Sequence, residues 1–136
     1  MPGNREAFFA AQNAGKAMLE KPNWAVIGDV LNPAKPASQV VASLKGNGKT
    51  VHLINPRDSS GQCHAGLRDV GQPIDCVDLC INSVEGLKQM QQAAELGIKK
   101  VFIQPGAESP DILAFARDKD IEVFQGCVMV ELGWAH

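Results

Sequence analysis

Five short apolar runs, each followed by turn-forming residues, constrain this chain more than any other feature. They occupy residues 24–28, 50–54, 77–81, 101–103 and 121–124. Their length and their Val, Ile and Phe content suit strands buried on both faces of a parallel sheet. Between them lie segments with helical spacing: 39–44 with Ser38 as N-cap, 84–96 with Ser83 as N-cap, and a helix opened by Ser109, Pro110 and Asp111. Strands alternating with helices predict an α/β fold, a Rossmann-like doubly wound five-stranded parallel sheet. Right-handed crossovers leave few topologies, and we expect the order 3-2-1-4-5 with strand 1 central. Residues 4–20 carry Phe8, Ala11, Gly15, Met18 and Leu19 near one helical face, which predicts an extra N-terminal helix. We expect a single domain over 1–136, with 1–22 as its helical extension.

Composition excludes several classes. The formal charge is −2 and there is no basic run, which argues against nucleic acid or an anionic membrane surface as partner. No apolar stretch approaches the ~18–20 residues of a membrane span. Arg5, Glu6 and Gln12 interrupt the N-terminal segment, so it does not read as a signal peptide. Cys63, Cys76, Cys80 and Cys127 form no C-x-x-C pair and have no histidines at zinc-ligand spacing, so no metal site is expected. Unpaired cysteines fit a reducing compartment, and we expect a cytoplasmic protein.

In a doubly wound sheet, ligands bind beyond the carboxyl ends of the strands where the strand order reverses. The residues there are Gly28, Asp29 and Val30; Asn55, Pro56 and Arg57; Asn82 and Ser83; and Gln104, Pro105 and Gly106. Under the expected order the reversal lies between strands 1 and 4. The stretch from Trp24 to Pro36 runs strand, glycine turn, helix N-terminus, which directs free N–H groups and the helix dipole at an anion. Lys35 and Arg57 add positive charge suited to a pyrophosphate. The stretch is neither a P-loop nor G-x-G-x-x-G, because only Gly28 sits at the strand end. No catalytic constellation stands out. Ser83, His64 and Asp29 could be drawn as a triad, but no nucleophile elbow surrounds Ser83. Glu108 and Glu131 could pair, but Glu108 beside Ser109 and Pro110 reads better as a helix cap. These residues point to a binder more than a catalyst.

Several separated motifs, in order, resemble the small stand-alone CoA-binding domain proteins, related in fold to the CoA-binding domain of the succinyl-CoA synthetase alpha subunit. They are Trp24 to Gly28 with Asn32, Pro33 and Lys35; Ile54-Asn55-Pro56; Val77-Asp78-Leu79; Gln104 to Glu108; and Cys127 to Glu131. The resemblance covers about Trp24 to Leu132. It implies a Rossmann-like domain holding coenzyme A or an acyl-CoA, with the loop from Gly28 to Lys35 at the phosphates. Asn55, Pro56 and Arg57 would then lie near the adenosine or its 3′-phosphate, and Asn82 and Ser83 on the opposite wall.

The family usually shows a small residue and a serine after its first glycine, where this chain has Asp29 and Val30, and commonly a tyrosine where His64 stands. A carboxylate ~4 Å from a phosphate, at an effective dielectric near 20, repels it by up to ~4 kcal/mol. Asp29 is therefore expected to point away, to pair with Lys35, or to weaken binding. The synthetase's phosphohistidine belongs to a region outside this domain, and nothing here replaces it, so ligase activity is not implied. The expected function is non-catalytic coenzyme A binding. The alternatives are an NAD(P)-dependent oxidoreductase, an acyl-CoA-handling enzyme, or a regulatory module with a partner chain or a second copy. Cys63 or Cys127 near the ligand could form a mixed disulfide with its thiol, against the plainer reading of buried, inert cysteine.

Overall fold

The computed structural model describes residues 16–131. Five strands, β1 (Asn23–Gly28), β2 (Thr50–Ile54), β3 (Cys76–Cys80), β4 (Lys100–Ile103) and β5 (Glu122–Gln125), form one sheet in which every pairing is parallel. The connections are α1 (Pro36–Gly46), a 3-10 turn at Leu67–Asp69, α2 (Ser83–Glu95) and α3 (Pro110–Asp118); a short α4 (Val128–Glu131) follows β5. The doubly wound parallel sheet expected from the sequence is therefore present. Of the expected N-terminal helix, residues 16–19 are helical and 4–15 lie outside the described residues.

The strand order is 2-1-3-4-5, not 3-2-1-4-5. The chain leaves β1 through α1 on one face, forms β2, then returns beneath β1 on the opposite face and forms β3 on the far side. Leu67 and Val70 anchor that return by packing with Ile27, Ile54 and Leu79. A right-handed crossover that reverses direction must change face. The reversal therefore falls between β1 and β3, and the two outer strands are β2 and β5. Side-chain patterning agrees: β2 carries Thr50 and His52, whereas β1 and β3 are buried almost throughout.

Alternating side chains divide the core into two layers. Ala25, Ile27, Val77, Leu79, Val101 and Ile103 face the 3-10 turn, α2 and α3, packing on Met90, Ala93, Ile112 and Ala116. Trp24, Val26, Phe102 and Phe124 face α1 and α4, packing on Met18, Val40, Leu44 and Val128. Rings of Trp24, Phe102 and Phe124 run across that second face, with successive centroids 6.3 and 4.7 Å apart. Trp24 satisfies its indole N–H on the carbonyl of Lys21 at 2.8 Å.

Two helix starts differ from expectation. Helix α1 begins at Pro36, with Lys35 as N-cap and no capping side chain; Ser38 sits inside the first turn. Proline supplies a helical φ and lacks only an N–H that the first turn leaves unbonded anyway. Helix α2 is capped by Asn82, whose side-chain oxygen accepts from the Glu85 N–H at 3.0 Å, which moves Ser83 into the helix. Ser109 caps α3 as expected, accepting from the Ile112 N–H.

Candidate functional site

The carboxyl ends of β1, β2 and β3 open into a groove of about 550 Å³, within the range of small-molecule sites. It lies at the β1/β3 reversal, where this topology places ligands. At its floor, Gly28 has φ +152°, and a Cβ there would run into the backbone carbonyl of Cys80 and press on Ala37. The glycine thus permits close approach of β1 to β3 and α1, rather than of backbone to ligand.

Lys35 reaches the groove because the 28–36 loop is folded by its own backbone. Asn32 accepts from the Ala34 N–H through its side chain and from the Lys35 N–H through its carbonyl, at 3.0 and 2.9 Å. On the β2 side, Asn55 accepts from the Arg57 N–H through its side chain and from the Asp58 N–H through its carbonyl, so the chain turns sharply after the strand. This turn presents Arg57, Asp58 and Ser59 to the groove. The Ser60 hydroxyl reaches both Asp58 carboxylate oxygens at 2.8 and 2.9 Å and holds Asp58 below the usual carboxylate range.

Of the residues singled out in the sequence, Gly28, Asp29, Lys35, Asn55, Arg57 and Asn82 line this one groove. Pro105 and Gly106 line an adjoining groove of about 310 Å³ that shares Cys80, Ile81 and Asn82 with the first. Four residues lie elsewhere. Val30 is buried in the core against the α1 face. Pro56 sits half-buried in the turn after β2. Ser83 lines a separate hollow between α2 and α3, with Val84, Lys88 and Ser109, and so does not share the groove with Asp29. Gln104 is buried, and its side chain accepts from the Val128 N–H at 2.8 Å and donates to the Cys127 sulfur, tying α4 to the end of β4. Glu108 does not cap α3; its carboxylate accepts from the Gly106 N–H at 2.8 Å within the turn.

Sequence reasoning missed Asp58, Ser59, Cys80 and Ile81 as lining residues. The last two close the apolar run 77–81, of which β3 takes the residues through Cys80 and leaves Ile81 beyond the strand end. The first two lie immediately beyond the Asn55-Pro56 turn signal, which could have marked them. Cys80, rather than Cys63 or Cys127, is the cysteine in the groove. Burial, with smaller contributions from Asp78 and Cys127, pushes its thiol up to about 11, so it is protonated at neutral pH. Among the described residues no cluster of three or more histidine, cysteine or acidic side chains is arranged to hold a metal, and no helix is long and apolar enough to cross a membrane.

The groove thus presents one ammonium, one guanidinium, two carboxylates and two side-chain amides to a polar small molecule, with Lys35, the N-cap of α1, on its lining. Similarity to known proteins narrows the class. The family model described as CoA binding domain matches residues 22–133. A conserved hypothetical protein from Pyrococcus furiosus shares 30% identity at a TM-score of 0.74, over 82% of this chain and 99% of that one. A Pyrococcus horikoshii protein (21% identity, TM-score 0.82, 91% of each chain) and a Thermus thermophilus protein (22% identity, TM-score 0.79, 92% and 98%) share the fold. No curated protein matches the chain. With the match spanning both strands of the reversal and every residue of the groove, this chain belongs to the CoA binding domain family.

Proposed function

We propose that this protein binds coenzyme A or an acyl-CoA in the cytoplasm and does not turn it over. The observation that carries the reading is the convergence of Lys35 and Arg57 on one groove at the sheet's reversal point, in a chain of this family. In this reading the loop from Gly28 to Lys35, with Asp29 and Val30 inside it, and the start of α1 take the diphosphate. Asn55 and Arg57 lie along the adenosine or its 3′-phosphate, with Pro56 in the turn between them. Asn82 forms the opposite wall, with Ser83 beside it opening α2 outside the groove, and Pro105 and Gly106 border the run of the ligand past the end of β3, with Gln104 supporting them from below. Binding without turnover is supported by what the polar groups already do. The Asn55 and Asn82 side-chain oxygens accept backbone N–H groups, and the groove's one thiol is held protonated. The four free cysteines support the cytoplasmic placement.

Calorimetric titration of the full chain with CoA, dephospho-CoA, NAD, NADP and ATP at one salt concentration tests this. Saturable binding that favours CoA is expected. Lys35→Ala and Arg57→Ala should each weaken it about ten-fold, the order of one charge-assisted contact. NAD bound as tightly as CoA, or no CoA binding, overturns the reading.

A further inference from the structure

The charges on the groove oppose one another. Lys35 and Arg57 face Asp29 and Asp58 across the same opening, and the formal sum is zero. The three ion pairs found among the described residues, Arg68–Glu95, Lys88–Glu85 and Lys100–Glu122, all lie elsewhere. Asp58 has a structural use, since Ser60 bonds both its oxygens and thereby sets the loop after β2. Asp29 differs. It is exposed at the end of β1, and no hydrogen bond or ion pair to its carboxylate is found among the described residues. It lines the groove and makes no ion pair with Lys35 among the described residues, which removes one of the three outcomes the sequence left open.

We propose that Asp29 is a specificity-determining residue of this groove, which ranks ligands by phosphate charge by opposing the anionic groups that Lys35 and Arg57 attract. This rests on the reading of the groove as a coenzyme A site. The physics is direct. An ionised carboxylate on the wall of a phosphate groove raises the free energy of every bound phosphate and leaves a phosphate-free ligand unaffected. A groove of zero formal charge also gains little from releasing counterions, so its affinity for a polyanion responds weakly to salt. Removing one negative charge leaves a net positive groove and restores the salt dependence. Asp29 is suited to this test because its carboxylate supports no fold contact, whereas a change at Asp58 would also release Ser60.

The experiment compares wild type with Asp29→Asn by calorimetry against CoA and against pantetheine, which lacks the phosphates, at 50 and 500 mM salt. Thermal melts verify that the two chains are equally folded. The expected result is that Asp29→Asn tightens CoA about ten-fold at the lower salt and about two-fold at the higher, while wild-type affinity changes little with salt. Pantetheine should bind both proteins equally. Wild type that binds CoA, with a variant that binds it no more tightly or less tightly, overturns the role of Asp29 and leaves the coenzyme A reading standing. Equal tightening of CoA and pantetheine also overturns it, because the effect would then not be phosphate charge. Absence of CoA binding in both proteins overturns the reading and the inference together.

Discussion

Asp78 lies in the middle of β3 with no exposed surface, and neither carboxylate oxygen has a hydrogen-bond partner among the described residues. Its register neighbours are Val26 and Phe102, and the titratable groups sharing its strand face are the thiols of Cys76 and Cys80. Burial therefore pushes its carboxyl well above the usual range, and the folded protein holds it as a neutral acid. Because the folded value is raised, the contribution of Asp78 to stability is greatest below the unfolded carboxyl pKa of ~4. It declines as pH rises from there toward the folded value, since only the unfolded chain releases the proton easily. Asp78→Asn, equal in size and unable to ionise, should stabilise the protein more at pH 7 than at pH 4, by about 1–3 kcal/mol. Urea melts across that pH range measure this, and an equal gain at both pH values would contradict it. Gly28 makes a second residue-scale case. Its positive φ and the Cys80 carbonyl against its missing Cβ leave no room for a side chain. Gly28→Ala should lower stability by about 1–3 kcal/mol, read from the same denaturant melts.

At the scale of the element, α2 joins fold and groove through one side chain. Asn82 caps the helix with its amide oxygen and also lines the groove. Aspartate caps about as well as asparagine, so Asn82→Asp should change stability by less than about 0.5 kcal/mol. The same change adds a negative charge beside Lys35 and Arg57 and should weaken CoA several-fold at low salt. Asn82→Ala should instead destabilise by about 1 kcal/mol through loss of the cap. Thermal melts and calorimetry on the two variants separate the roles; equal effects of both on stability would mean that the cap contributes little. The short α4 depends on another element, because the buried Gln104 side chain satisfies the first N–H of that helix from the end of β4. A pattern of local propensity cannot show this, since the two residues are 24 positions apart.

At the scale of the whole molecule, the order 2-1-3-4-5 places β1 and β3 inside the sheet and β2 and β5 at its edges. Native-state hydrogen exchange should protect the amides of Ala25 to Ile27 and Val77 to Leu79 most strongly, and those of β5 less, because edge strands open at lower free energy. Protection of β2 above β3 would contradict this arrangement. By itself the sequence determined the number of strands, their parallel sense, three of the helices and the polar character of their carboxyl ends. These are local properties, carried by apolar periodicity and by glycine, proline and capping residues within a few positions of one another. It also carried the family resemblance, because the motifs of the first loop, the second strand end and the last two strands are contiguous short stretches. Which strands are neighbours was decided only by tertiary structure. A connection of twenty-odd residues reaches either side of β1 equally well, and the choice depends on Leu67 and Val70 finding the layer formed by Ile27, Ile54 and Leu79. The same choice brought Cys80 and Ile81 into the groove and left Val30 in the core and Gln104 beneath α4. Whether a residue near a strand end faces ligand or core depends on where that strand ends and what packs above it. Both are set by contacts between segments far apart in the chain.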